Sequence, residues 1–167
     1  DASGVVGLSP TSDPPFAAVT WADYPLTVLS VVEDGALEVT TIAHQVFRGE
    51  ADGIVSRVMP VVMPEVEGVV FAMDATNTTE DTIVAIFTNG QSAEVILSDE
   101  SGAEAYRWSD GKVFDQAIRT VEISAGGTFG TLLHDALVIE DGWAIEAFFV
   151  ADTLRDAVAT GTLEIDG

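Results

Sequence analysis

The sequence predicts an all-β fold of antiparallel strands, and three observations carry that expectation. Apolar residues recur with a period of two: Val69, Phe71, Met73 and Ala75 in one run, Ile83, Ala85 and Phe87 in a second, Trp143, Ile145, Ala147 and Phe149 in a third. Successive side chains of an extended chain point to opposite faces, so such runs read as strands with one face on a core. Turn residues cut the runs at short intervals, at Asn89-Gly90, Asp99 to Gly102, Asp110-Gly111 and Asp141-Gly142. Finally, 47% of the 167 residues are apolar, enough to build a core without staples. Several short strands at this spacing suggest a sandwich or a barrel.

Taken in order, residues 1–15 are small, polar and proline-bearing and read as a flexible or extended leader. Residues 16–32 are apolar and β-prone, with Pro25 confining any strand through it to an edge or a start. Glu33-Asp34-Gly35 is a turn. Residues 1–34 therefore form an N-terminal β-prone extension, and 35–167 the main domain. Its first strand is expected in Ala36 to Arg48, where Leu37, Val39, Thr41 and Ala43 alternate with Glu38, Thr40 and Ile42. Gly49 to Gly53 is an acidic turn. Ile54 to Val66 is apolar but holds Pro60 and Pro64, and reads as an irregular edge or a strand–loop–strand. Asn89-Gly90 predicts a type I′ hairpin, because both central residues of that turn need positive φ. Gly130 to Ile139 reads as one helical turn or a loop, Asp152 to Val158 as a weak helix or a polar loop, and Thr162 to Ile165 as a short final strand.

One set of motifs carries more. Asn77-Thr78-Thr79, Thr88-Asn89-Gly90-Gln91, Ala105-Tyr106-Arg107-Trp108-Ser109, Phe114-Asp115-Gln116-Ala117 and Ala125-Gly126-Gly127 together resemble the BsuPI family, the intracellular proteinase inhibitors of bacilli and their relatives. Order and spacing match over residues 66–130, more weakly on to Ile165, for a resembling region of about 36–166. Ala125-Gly126-Gly127 departs from the family's more usual Pro-Gly-Glu. The resemblance implies an immunoglobulin-like β-sandwich and inhibition of a serine protease, and it carries over no inhibitory contact residue.

Charge bounds the partners. Asp and Glu number 28 against 6 Lys and Arg, a net charge of −22, and Lys112 is the only lysine. Such a surface repels nucleic acid and anionic membranes. The acids are scattered along the chain, which favours adaptation to a high-salt environment over an acidic face for a basic partner. No apolar run is long enough to span a bilayer as a helix. The opening at Asp1 rather than Met fits either an arbitrary cut in a longer chain or the mature end left by a signal peptide; we favour the second reading, and with it an extracellular or cell-surface protein.

No arrangement of residues reads as catalytic. His44 and His134 lie on different elements, no Gly-x-Ser-x-Gly elbow surrounds a serine, and His134 beside Asp135 points to the opposite strand face. No cofactor is expected. Asp99, Glu100, Asp110, Glu140 and Asp141 leave a weak calcium reading, without the spacing of a twelve-residue calcium loop. Without cysteine there is no disulfide, thiolate zinc site or cysteine nucleophile. The chain therefore reads as a non-enzymatic protein-binding domain whose partner is a serine protease or copies of itself. Candidate contacts are Tyr106 and Arg107, types that dominate binding hot spots. Phe16, Val19, Trp21 and Leu26 join them in the alternative reading, in which the N-terminal segment donates a strand to a neighbouring copy in an extracellular filament. Asn77 is a glycosylation sequon or, on the structural reading, a turn-capping asparagine.

Overall fold

The computed structural model describes residues 5–7, 16–20, 26–31, 37–42, 45–62 and 68–165. The chain divides into two compact units, Asp1–His44 and Gln45–Gly167. The first holds a four-stranded antiparallel meander: β1 (Val5–Gly7), β2 (Phe16–Thr20), β3 (Leu26–Val31) and β4 (Leu37–Ile42), neighbours in that order. β-Branched pairs such as Val19 with Val28 and Thr27 with Thr41 make up much of its register, as suits a pleated surface. Three expectations change here. The leader contributes a strand, β1. The Leu37–Ile42 segment, expected to open the larger domain, pairs instead with β3. And β2, whose segment was open to pairing either within its own chain or, in the alternative reading, with a neighbouring copy, has β1 on one side and β3 on the other, so both of its edges are filled within its own chain.

The second unit is all β among its described residues and antiparallel throughout. It comprises β5 (Phe47–Ala51), β6 (Ile54–Val62), β7 (Val69–Asn77), β8 (Ile83–Phe87), β9 (Ala93–Ser98), β10 (Glu104–Arg107), β11 (Arg119–Ile123), β12 (Thr128–Asp135), β13 (Ala144–Phe149) and β14 (Ala159–Thr162). Eight of these form one sheet in the order β10-β9-β13-β14-β5-β6-β7-β12, curled into a half-barrel, while β8 and β11 pair separately. Asp52 and Gly53 both take positive φ, 48° and 74°, and make the tight β5–β6 turn that a right-handed strand pair favours.

Asn89-Gly90 does not make the expected hairpin. β8 pairs with β11, so Asn89-Gly90 carries the chain from one sheet to the other. Asn89 Oδ1 accepts from Gln91 N–H at 2.8 Å, an Asx turn that this residue type makes equally well. Gly130 to Asp135, part of the stretch read as a loop or helical turn, makes up most of β12, which is paired with β7 from Thr128 to Asp135. Ile54–Val62 is one unbroken strand. Its pairing with β5 stops at Val58, so Pro60, with no N–H to give, falls where β6 has β7 alone beside it.

The core lies against the concave face of the large sheet and is covered by the small one. Val58, Phe71, Met73, Val95, Leu97, Ile145 and Phe149 pack there with Ala85, Phe87 and Ile123 of the β8–β11 pair. Phe129 joins the layers, with ring centroids 5.4 Å from Phe87 and 5.4 Å from Phe149.

Candidate functional site: a seam between sheet edges and the loop it holds

In the order of the large sheet, β10 and β12 are the two edges. No ladder joins them; side chains do. The Tyr106 hydroxyl donates to Asp135 Oδ2 at 2.9 Å, Lys112 Nζ donates to the same oxygen at 2.6 Å, and Trp108 Nε1 donates to the His134 carbonyl at 3.3 Å. Asp135 Oδ1 accepts the Ala136 N–H at 2.9 Å. The Tyr106 ring stacks on Phe71 at 6.4 Å, and Lys112 Nζ sits 5.1 Å over the Trp108 ring. Strand alternation accounts for the arrangement. Tyr106 and Trp108 share one face, so both reach across the gap, while Arg107 points away and forms a two-pronged pair with Glu104 at 3.0 and 2.6 Å.

The seam perturbs its acids. Burial alone would raise the Asp135 carboxyl, but the Lys112 and Tyr106 hydrogen bonds outweigh it and hold the group below its ordinary 3.8. Desolvation, reinforced by the hydrogen bond to Asp135, drives the Tyr106 hydroxyl far above its ordinary 10.0.

Behind the seam, buried Glu94 ties the turn that follows β10. Its carboxylate accepts Ser109 N–H at 3.1 Å, Val95 N–H at 3.2 Å and Gln91 Nε2 at 3.1 Å. From this turn emerges the loop Lys112–Ile118, which crosses from the large sheet to the small one. The Phe114 ring turns inward to Trp108 at 5.7 Å, and Gly90 N–H donates to the Asp115 carbonyl at 3.1 Å. A side chain at Gly90 would lie 2.6 Å from Asp115 Oδ1, so a glycine lets the loop pass close. At the far end Arg119 lies 4.6 Å over Phe87 and donates to Ser92 Oγ at 2.6 Å. Between these anchors Val113 is 97% exposed and Ile118 is 74% exposed.

Asn77 sits at the opposite end of β7 and is fully buried. Its Nδ2 donates to the carbonyls of Asp81 (2.7 Å) and Ile123 (2.9 Å), and its Oδ1 accepts from Thr79 N–H (2.9 Å) and Oγ1 (2.7 Å). Its backbone also pairs with Gly126 and Gly127. Of the two readings of Asn77, these bonds are those of the turn-capping asparagine: the amide nitrogen is enclosed and both its hydrogens are engaged.

Of the other sequence candidates, Tyr106 and Arg107 stand together but turn their polar atoms to partners in their own chain. The backbones of Phe16, Val19 and Leu26 lie in the first unit's sheet, and Trp21 lies outside the described residues. His134 and Asp135 face opposite sides of β12; His134 Nε2 is buried without a hydrogen-bond partner among the described residues. There too, no group of three or more His, Asp or Glu is arranged to hold a metal ion. Asp99 instead caps its turn, accepting Ser101 N–H at 2.8 Å and Ala103 N–H at 3.0 Å. Sequence reasoning did not single out Glu94 or the partnership of Lys112 with Asp135. The one available signal was a solitary lysine three residues past the Tyr-Arg-Trp-Ser run in a chain of 28 acids.

The second unit is thus an all-β half-barrel whose open edges are tied by a polar and aromatic seam. Residues 57–136 match the model of the BsuPI family, described as intracellular proteinase inhibitor. That span runs from the middle of β6 to the residue after Asp135 and holds the whole seam and its loop. No curated protein matches the chain. The family's description overturns the expectation of an extracellular or cell-surface protein; an opening residue other than Met does not by itself record the removal of a signal peptide.

Proposed function

We propose that this chain is a non-enzymatic, proteinase-inhibitor-like protein that acts by binding a protease. The observation that carries the reading is the extent of the family match, which takes in the seam, the turn held by Glu94 and the exposed loop as one block. A serine protease is the target class that the resemblance implies. The donated-strand filament has no comparable support, because β2 is already paired on both sides.

The test uses the full chain at micromolar concentration against a panel of serine endoproteases that includes subtilisin, following hydrolysis of a small chromogenic substrate. The expected result is slowed hydrolysis while the inhibitor band stays intact on a gel. Undiminished hydrolysis across the panel would overturn the reading.

A further inference from the structure

We propose that the loop Lys112–Ile118 is the segment that enters the protease's substrate cleft, with Val113 as the side chain filling a primary pocket of apolar preference. This rests on the inhibitor reading above and gives it a location. Proteases bind substrates as added strands, so a contact segment needs free main-chain groups and a side chain aimed outward. Among the described residues, the loop from Val113 to Ile118 has a single backbone bond to the rest of the protein, that of the Asp115 carbonyl to Gly90. No residue from Lys112 to Ile118 has a positive φ, and exposure alternates from Lys112 to Asp115 as it does in extended chain.

Val113 is the choice within the loop because its neighbours are committed. Lys112 is held by Asp135 and Trp108, and Phe114 is turned onto Trp108. Ile118 adjoins β11, where Arg119 is paired with Phe87. Val113, at 97% exposure, has no packing role of its own. The exposed Val84 and Ile86 are weaker candidates, since β8 is laddered to β11 along its length. The anchors on both sides matter as much as the tip. A loop already fixed by Trp108, Lys112, Gly90 and Arg119 loses little freedom when a cleft closes on it, which strengthens binding without further contacts.

The experiment measures inhibition of subtilisin and of trypsin by the full chain and by Val113→Asp, Val113→Arg and Val138→Asp. Val138 is 83% exposed on a different loop and serves as the control. Val113→Asp is expected to weaken subtilisin inhibition at least about 30-fold, the size of a central contact residue. Val113→Arg is expected to weaken it similarly and to create inhibition of trypsin, which cleaves after basic residues. Val138→Asp should change nothing, and all three should keep the parent's thermal midpoint. Inhibition of subtilisin that survives both Val113 variants within about threefold would overturn the loop assignment and leave the inhibitor reading standing. A parent protein that inhibits no protease of the panel would overturn both.

Discussion

Tyr106→Phe tests the seam most cleanly, because it removes one oxygen and leaves the ring stacked on Phe71. The lost bond runs to a charged carboxylate, a class worth about 1.5–3 kcal/mol. Asp135 is 31% exposed at its side chain and keeps Lys112, so water replaces part of the loss and about 1–2 kcal/mol is the expected destabilisation. For a domain of this size that lowers the thermal midpoint by about 4–8 °C. Lys112→Met should cost about 1–2 kcal/mol, combining a partly buried ion pair with a cation–π contact. Both donors share Asp135 Oδ2. The double variant strips that oxygen bare and should exceed the sum of the singles by at least about 0.5 kcal/mol.

pH supplies an independent check. The Asp135 carboxyl is depressed in the folded state, so its contribution is complete above the ordinary 3.8 and fades as pH falls below it through the folded value. The Tyr106 hydroxyl is raised, so its contribution is complete below 10.0 and fades as pH climbs above that. Urea unfolding at a series of pH values should show both limbs in the parent and a reduced alkaline limb in Tyr106→Phe. Equal stabilities within about 0.3 kcal/mol, with the same alkaline limb, would refute the account of the seam.

Three further outcomes are expected. Asn77→Ala removes four side-chain bonds from a fully buried site and strands two carbonyls, for a loss of about 2–4 kcal/mol by urea unfolding. Gly49→Ala would place its Cβ 1.9 Å from the Val158 carbonyl oxygen; β5 and β14 would have to part, costing about 3 kcal/mol or preventing folding, seen as loss of soluble protein or of a cooperative melt. Stability should also rise with sodium chloride from low to molar concentration, because 22 net negative charges repel one another until screened; melts that fall over that range would contradict this.

Local chemistry was legible in the sequence, and long-range pairing was not. The alternation in Val69–Ala75, Ile83–Phe87 and Ile145–Phe149 marks three strands that the structure contains, since a period of two is a property of the strand itself. The acidic turn before Ile54 was also readable. Asn89-Gly90 misled because the same dipeptide serves an Asx turn, and nothing near it tells that β8 will pair with β11. Gly130 to Asp135 shows no alternation, yet it is a strand because β7 lies alongside it. The seam was beyond reach for the same reason: Tyr106 and Asp135 are 29 positions apart and meet only after the sheet has curled. The resemblance marked Tyr106, Trp108 and Gln91 as a group, but their purpose emerges only from what they touch.

An open sheet of eight strands carries two rows of unpaired N–H and C=O groups, each a template on which another chain can add. Here those rows belong to β10 and β12, and the protein turns them toward each other. β10 is four residues long, has a bulge between Glu104 and Tyr106, and bears the Arg107–Glu104 pair, three devices that blunt a strand against docking. The end of β12 is capped by Lys112 and Trp108. For this sheet, protection of the edges is therefore concentrated in a handful of side chains. Variants that loosen the seam should self-associate under conditions where most of the chain remains folded, so concentration-dependent light scattering would register the damage before circular dichroism does.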